Sequence, residues 1–117
     1  MTKPVPTLGI VVPCYNEEEV LPQTRDALAH ELSALISDGL VSDSSFVLFV
    51  DDGSADSTWQ MIADYTVANK HIKGLKLAAN AGHQNALFAG LMQARVLVDC
   101  AISIDADLQD DTSVIRD

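Results

Sequence analysis

Four carboxylates, Asp105, Asp107, Asp110 and Asp111, crowd the stretch ISIDADLQDD at residues 102–111. Carboxylates this close repel one another unless something positive sits among them. Asp105 and Asp107 flank a small alanine at the end of an apolar run, a D-x-D spacing that suits a hard cation. Carboxylate oxygens are preferred ligands of Mg2+ and Mn2+, and a site with few protein ligands leaves room for substrate phosphates. Gln109 adds a neutral oxygen two residues further on. Asp110 and Asp111 fit the start of a helix, one of them as its N-cap. The chemistry this predicts is electrostatic: a divalent ion holds a diphosphate and neutralises the charge of a departing phosphate.

Three other polar clusters interrupt apolar segments. In VPCYNEE (12–18), Pro13 stops an apolar run, Tyr15 offers a flat ring for stacking, Asn16 is placed to cap a helix, and Glu17 can accept from a base or a hydroxyl. In VDDGS (50–54), one of Asp51 and Asp52 can accept from a nucleobase or a ribose hydroxyl. Gly53 permits a tight turn, and Ser54 or Asp56 can cap the next helix. An ordinary capped Asp-Gly turn would leave the same trace. In AANAGHQNA (78–86), Asn80, Gly82 and His83 stand at a helix entry, where backbone N–H groups suit phosphate.

These clusters need elements to position them. LGIVVP (8–13), FVLFVDD (46–52), IKGLKLAAN (72–80) and CAISID (100–105) read as strands from their β-branched, apolar runs. Between them, residues 16–39 carry Val20, Leu21, Ala27, Leu28, Leu32, Leu35 and Ile36 at helical spacing, with acids in the expected first turn and Gly39 as the stop. Residues 53–69 and 81–98 read as two further helices, the latter burying Ala86, Leu87, Ala89, Gly90 and Leu91, and a fourth begins at 111. His30 falls on a helix face and His71 in a loop. Strand and helix alternate with crossovers long enough for parallel pairing, so the expected fold is α/β with a mainly parallel sheet. All four polar clusters then sit at the carboxyl ends of strands, where such sheets bind ligands, and they predict one shared site.

Composition narrows the partners. With 117 residues and 48% hydrophobic content, the chain suits one small folded domain. A net charge of −10 argues against nucleic acid and against an anionic membrane surface. The longest apolar runs, such as FVLFV at 46–50, are far shorter than a membrane span, and no secretory signal is visible. Cys14 and Cys100 form no metal-type cluster, and a strand length between them precludes a disulfide, so a reducing, cytosolic setting is the default.

Together, VVPCYNEEEVL, FVDDGSADST, NAGHQNALFAG and SIDADLQDD resemble the inverting family 2 glycosyltransferases, in particular the polyprenyl-phosphate sugar transferases of the dolichyl-phosphate mannosyltransferase and undecaprenyl-phosphate glucosyltransferase type. The motifs stand in the same order and spacing over nearly the whole chain. The resemblance implies a Rossmann-like glycosyltransferase A fold, incomplete at the C-terminus, with residues 1–117 as the donor-binding part of a longer protein. It implies a UDP- or GDP-linked sugar donor, a Mg2+ or Mn2+ ion, and a polyprenyl phosphate acceptor in the full-length protein at the cytoplasmic face of a membrane. Pro13, Tyr15 and Glu17 would line the nucleoside pocket, and Asp51 or Asp52 would contact base or ribose. Asp105 would touch the ribose or sugar and a metal-bound water, while Asp107 and Gln109 would ligate the metal, which makes Asp105 and Asp107 the catalytic carboxylates. Relatives often carry basic residues where this chain has Ala79 and His83, so diphosphate contacts from Asn80, Gly82 and His83 are expected to be weaker.

Other readings fit less well. A haloacid-dehalogenase-type phosphatase carries its D-x-D on the first strand, a receiver domain carries its acidic pair there too, and no Walker or G-x-G-x-x-G loop is present. A non-catalytic nucleotide-binding module, self-associating through an exposed strand edge as a homo-oligomer, and a transferase acting on a cell-wall polysaccharide are the alternatives.

Overall fold

The computed structural model describes residues 5–95 and 97–106. Asp107, Gln109, Asp110, Asp111 and the helix expected from 111 lie outside the described residues. Seven elements alternate along the chain: β1 (Leu8–Cys14), α1 (Leu21–Ser37), β2 (Phe46–Asp51), α2 (Thr58–Ala68), β3 (Ile72–Lys76), α3 (His83–Ala94) and β4 (Cys100–Ser103). The four strands form one parallel sheet in the order β3-β2-β1-β4.

The central strands are buried along their whole length, which is why LGIVVPC and FVLFVD are continuous apolar runs rather than alternating ones. Successive side chains feed two separate cores. Ile10, Val12, Val47 and Phe49 pack with Leu28, Leu32 and Ile62 of α1 and α2. Val11, Leu48 and Val50 pack on the other face with Ala86 and Ala94 of α3. Small residues let α3 approach closely: a Cβ on Gly90 would stand 2.5 Å from Val11 Cγ1 and 2.8 Å from Val50 Cγ2.

Pro13 is tolerated in a central strand because of where β4 ends. The Val11 carbonyl accepts from Ile104 N–H on one side, and the Cys14 carbonyl accepts from Asp52 N–H on the other. The edge of Pro13 therefore faces β4, whose pairing with β1 stops at Val11↔Ser103. No ladder partner is lost by the missing N–H.

Several boundaries differ from expectation. α1 starts at Leu21, with Pro22 in its first positions and no acid in its first turn; Glu17, Glu18 and Glu19 precede it. Its N-cap is Val20, so Asn16 does not cap this helix. The stop at Gly39 is as expected: at φ 74 it lets Gly39 N–H reach the Ile36 carbonyl and Leu40 N–H the Leu35 carbonyl, closing the helix end. β3 ends at Lys76, and α3 runs only from His83 to Ala94, burying Ala86, Gly90 and Ala94. Both cysteines are free, Cys14 buried and Cys100 exposed. Cys100 pairs with Leu8, so Cys14 lies six residues further along the neighbouring strand, roughly 20 Å away. Among the described residues, no helix is long and apolar enough to cross a membrane.

Candidate functional site

In the order β3-β2-β1-β4, the chain turns from one side of β1 to the other between β1 and β4. Ligand crevices in open parallel sheets form at such a reversal. A cleft of about 440 Å3 opens there, within the size range of small-molecule sites. Pro13, Cys14, Tyr15 and Glu17 line it from the end of β1, Asp52 from the end of β2, Asn80, Gly82, His83 and Ala86 from the entry of α3, and Asp105 and Ala106 from the end of β4. The four polar clusters do converge on one site.

The wall after β1 is bolted to the turn after β2. Asn16 N–H donates to Ser54 Oγ (2.9 Å), and the Asn16 side-chain oxygen accepts from Ala55 N–H (2.8 Å). Glu17 N–H donates to Thr58 Oγ1 (2.9 Å) and Glu18 N–H to Asp56 Oδ2 (3.3 Å), while Glu18 Oε2 accepts from Ser57 N–H (3.2 Å). These bonds explain why Asn16 is not a helix cap: its side chain serves a residue 39 positions away. They also hold Asn16 at φ 53, a left-handed conformation that asparagine adopts more readily than most residues. Tyr15 is left 48% exposed, its ring open to a ligand.

The opposite wall hangs from Asp52. That carboxylate is 3% exposed and accepts from Ala81 N–H (2.6 Å) and Gly82 N–H (3.0 Å). These are two of the N–H groups expected to meet phosphate; the protein's own anion already occupies them. Gly53, at φ 75, makes the approach feasible, since a Cβ there would lie 2.5 Å from Asn80 N. Asp51, the alternative to Asp52, is fully buried, accepts from Ser54 N–H at 3.4 Å through Oδ1, and does not line the cleft. Asp51 Oδ2 is buried without a hydrogen-bond partner.

Asp105 faces His83 across the mouth, with Oδ1 3.9 Å from Nε2 and both side chains substantially exposed. The end of β4 is tied to α1 by Thr24, whose hydroxyl donates to the Ala106 carbonyl. Among the described residues no group of three His, Cys, Asp or Glu side chains could hold a metal ion. The expected ligands Asp107 and Gln109 lie outside those residues. The described part nonetheless fits a cation: Glu17, Asp52 and Asp105 would repel a diphosphate placed among them, with His83 the one basic side chain on the lining. Burial, then Glu17 and Asp51, push the Cys14 thiol far above the usual range, so it stays neutral.

Cys14, Ala86 and Ala106 are lining residues that sequence reasoning missed. Two had a usable signal: Cys14 sits between the cluster residues Pro13 and Tyr15, and Ala86 falls one helical turn beyond Gly82.

Comparison with known proteins agrees with this geometry. The chain is 56% identical over all of its 117 residues to the uncharacterised glycosyltransferase YkoT of Bacillus subtilis, and spans 35% of that protein's length. Among solved structures, a mannosyltransferase from Pyrobaculum calidifontis, PcManGT, in complex with GDP-Man and Mn2+, superposes with a TM-score of 0.70 at 21% identity, over 88% of this chain and 28% of that one. S. aureus TarS (residues 1–349) in complex with UDP-GlcNAc gives 0.64 at 26% identity, over 86% of this chain and 26% of that one. The fold they share is the glycosyltransferase A fold, and the chain spans about a third or less of the length of these proteins. The model of glycosyl transferase family 2 matches residues 9–117, and with a parallel sheet whose strand ends meet in one acid-lined cleft, the chain belongs to that family.

Proposed function

We infer that this chain binds the nucleotide-sugar donor of a metal-dependent, inverting sugar transfer, and that the acceptor of the full-length protein is a polyprenyl phosphate. One observation carries the reading: in a family 2 chain, Tyr15, Glu17, Asp52, His83 and Asp105 gather around one cleft at the reversal of the strand order. Tyr15 stacks on the base, and Glu17 and Asp52 accept from base or ribose. The side chains of Asn80 and His83 face the diphosphate, with Gly82 N–H committed to Asp52, and Asp105 faces the ribose or sugar. Asp107 and Gln109 would hold Mg2+ or Mn2+, which when bound supplies the positive charge a leaving nucleoside diphosphate needs. The UDP-GlcNAc bound by TarS and the GDP-Man and Mn2+ bound by PcManGT support this class of donor and cofactor. A phosphate acceptor is already anionic and takes little help from a general base, in keeping with a cleft whose carboxylates serve binding.

The test is a thermal-shift series with UDP, GDP and their sugar conjugates, with and without Mn2+. A matching nucleotide at a hundredfold excess over its Kd adds about 2.7 kcal/mol of stability, a shift of several degrees. Asp107→Ala should abolish the manganese-dependent part. A chain whose Tm ignores every nucleotide would overturn the donor reading, and an unchanged shift in Asp107→Ala would overturn the metal assignment. In the full-length protein, labelled sugar arriving on a wall polysaccharide instead of polyprenyl phosphate would replace the acceptor.

A further inference from the structure

Thr58 begins α2, fully buried, and is absent from the lining of the cleft. A buried hydroxyl needs partners, and this one has two of opposite kind. It donates to Asp56 Oδ1 at 2.5 Å and accepts from Glu17 N–H at 2.9 Å. The direction is fixed: a carboxylate oxygen only accepts, so the hydroxyl proton points at Asp56 and a lone pair remains for the backbone of Glu17. Asp56 is itself locked in place. Oδ1 also accepts from Thr58 N–H (2.9 Å), and Oδ2 accepts from Glu18 N–H (3.3 Å). The result is a hydroxyl–carboxylate bracket that grips two consecutive backbone N–H groups, those of Glu17 and Glu18, just after Asn16.

A second observation places this grip beside a constrained piece of backbone. Asn16, between Tyr15 and Glu17, has φ 53. A non-glycine residue persists there when its surroundings fix it. The bracket holds the chain on the C-terminal side of Asn16, and the Ser54 and Ala55 bonds hold Asn16 itself. The outcome is that Tyr15 and Glu17, on either side of the reversal, both reach the cleft.

We propose that Thr58 is a positioning residue for nucleoside recognition: its hydroxyl, directly at Glu17 N–H and through Asp56 at Glu18 N–H, sets Tyr15 and Glu17 against the bound nucleoside without touching it. The proposal rests on the donor-binding reading above. Valine keeps the shape of threonine and removes both bonds; serine keeps both bonds and removes a methyl group.

The experiment compares wild type, Thr58→Val and Thr58→Ser in the full chain, by calorimetric titration with UDP and GDP in Mn2+ and by amide hydrogen exchange without ligand. Thr58→Val should weaken the nucleotide that binds by about tenfold, and weaken the matching free nucleoside by the same factor, because Tyr15 and Glu17 act at that end. Thr58→Ser should bind within about twofold of wild type. The Glu17 and Glu18 amides should exchange faster in the valine variant only. A valine variant with a lower Tm, wild-type affinity and unchanged exchange at these amides would overturn the proposal, leaving Thr58 a stability residue. A wild type that binds neither nucleotide would overturn the donor reading, while the exchange data still decide the bracket. If Thr58→Val does not fold, Asp56→Asn carries the same comparison: accelerated Glu18 exchange with weaker binding supports the bracket, and unchanged values overturn it.

Discussion

The two walls of the cleft are held by opposite strategies. The 15–18 wall gives the backbone N–H groups of Asn16, Glu17 and Glu18 to three different side chains, Ser54, Thr58 and Asp56. The 80–83 wall gives the N–H groups of Ala81 and Gly82 to one carboxylate, Asp52, and Gly82 N–H also donates to the local Asn80 side-chain oxygen at 3.1 Å. Both sets of anchors come from the same turn after β2, so residues 52–58 are the joint of the site. The difference teaches where the site is brittle. In folding stability, a distributed attachment loses less with any one anchor than a concentrated one loses at its single residue.

The most severe break expected is at Gly53, where the joint presses on the concentrated wall. Gly53→Ala meets a backbone atom 2.5 Å away, Asn80 N, at φ 75. Left-handed strain of about 1 kcal/mol and a clash of about 1–3 kcal/mol should add. Gly39→Ala is the internal control, since φ is 74 and nothing lies within 4 Å of its Cβ. Urea denaturation of both should give a loss at Gly53 well above that at Gly39; equal losses would mean the 79–80 backbone moves aside freely. Asp52 ranks next. Removing a buried acceptor of two backbone bonds should cost about 1.5–3 kcal/mol, against about 0.5–1 kcal/mol for Ser54→Ala on the distributed wall. Equal costs for Asp52→Ala and Ser54→Ala would erase the contrast between the walls.

The sequence carried the scaffold well and the joint poorly, for a physical reason. Strands buried on both faces write themselves as continuous runs such as FVLFV, and polar residues at their ends mark the crevice wherever the helices end. Pro13, Tyr15, Glu17, one of Asp51 and Asp52, Asn80, Gly82, His83 and Asp105 could thus be placed together before any coordinates. Local rules failed where long-range bonds overrode them. Acids near a helix start favour its dipole, so Glu17 and Glu18 read as a first helical turn; their N–H groups are instead committed to residues 41 and 38 positions away. The choice between Asp51 and Asp52 depended on which face of the sheet each meets, a matter of register that neighbouring residue types do not encode. Thr58 left only a faint trace, a threonine two residues after an aspartate, the pattern of a local side-chain-to-backbone turn.

The smallest predicted effect sharpens the comparison through pH. Burial pushes the Asp56 carboxyl up, but the hydrogen bonds from the Thr58 hydroxyl, from Thr58 N–H and from Glu18 N–H outweigh it and leave the group below its usual range. A depressed carboxyl contributes stability that is fully present above its unfolded pKa and is lost as pH falls through the folded one. The distributed wall should therefore be intact at neutral pH and loosen only in acid, below the ordinary carboxylate range. Asp43 is depressed as well, by the hydrogen bond and charge of Lys70, and would act in the same window. Salt separates the two. Asp43 and Lys70 form an exposed ion pair that 1 M NaCl, with a Debye length of about 3 Å, screens. Asp56 is held by neutral donors inside the turn, and its contribution should persist. Amide exchange at Glu18, followed from neutral pH into acid in high salt and corrected for the intrinsic pH dependence of exchange, should show lost protection in wild type and a flat profile in Asp56→Asn. A wild-type profile that salt flattens would assign the acid sensitivity to Asp43 and detach it from the cleft.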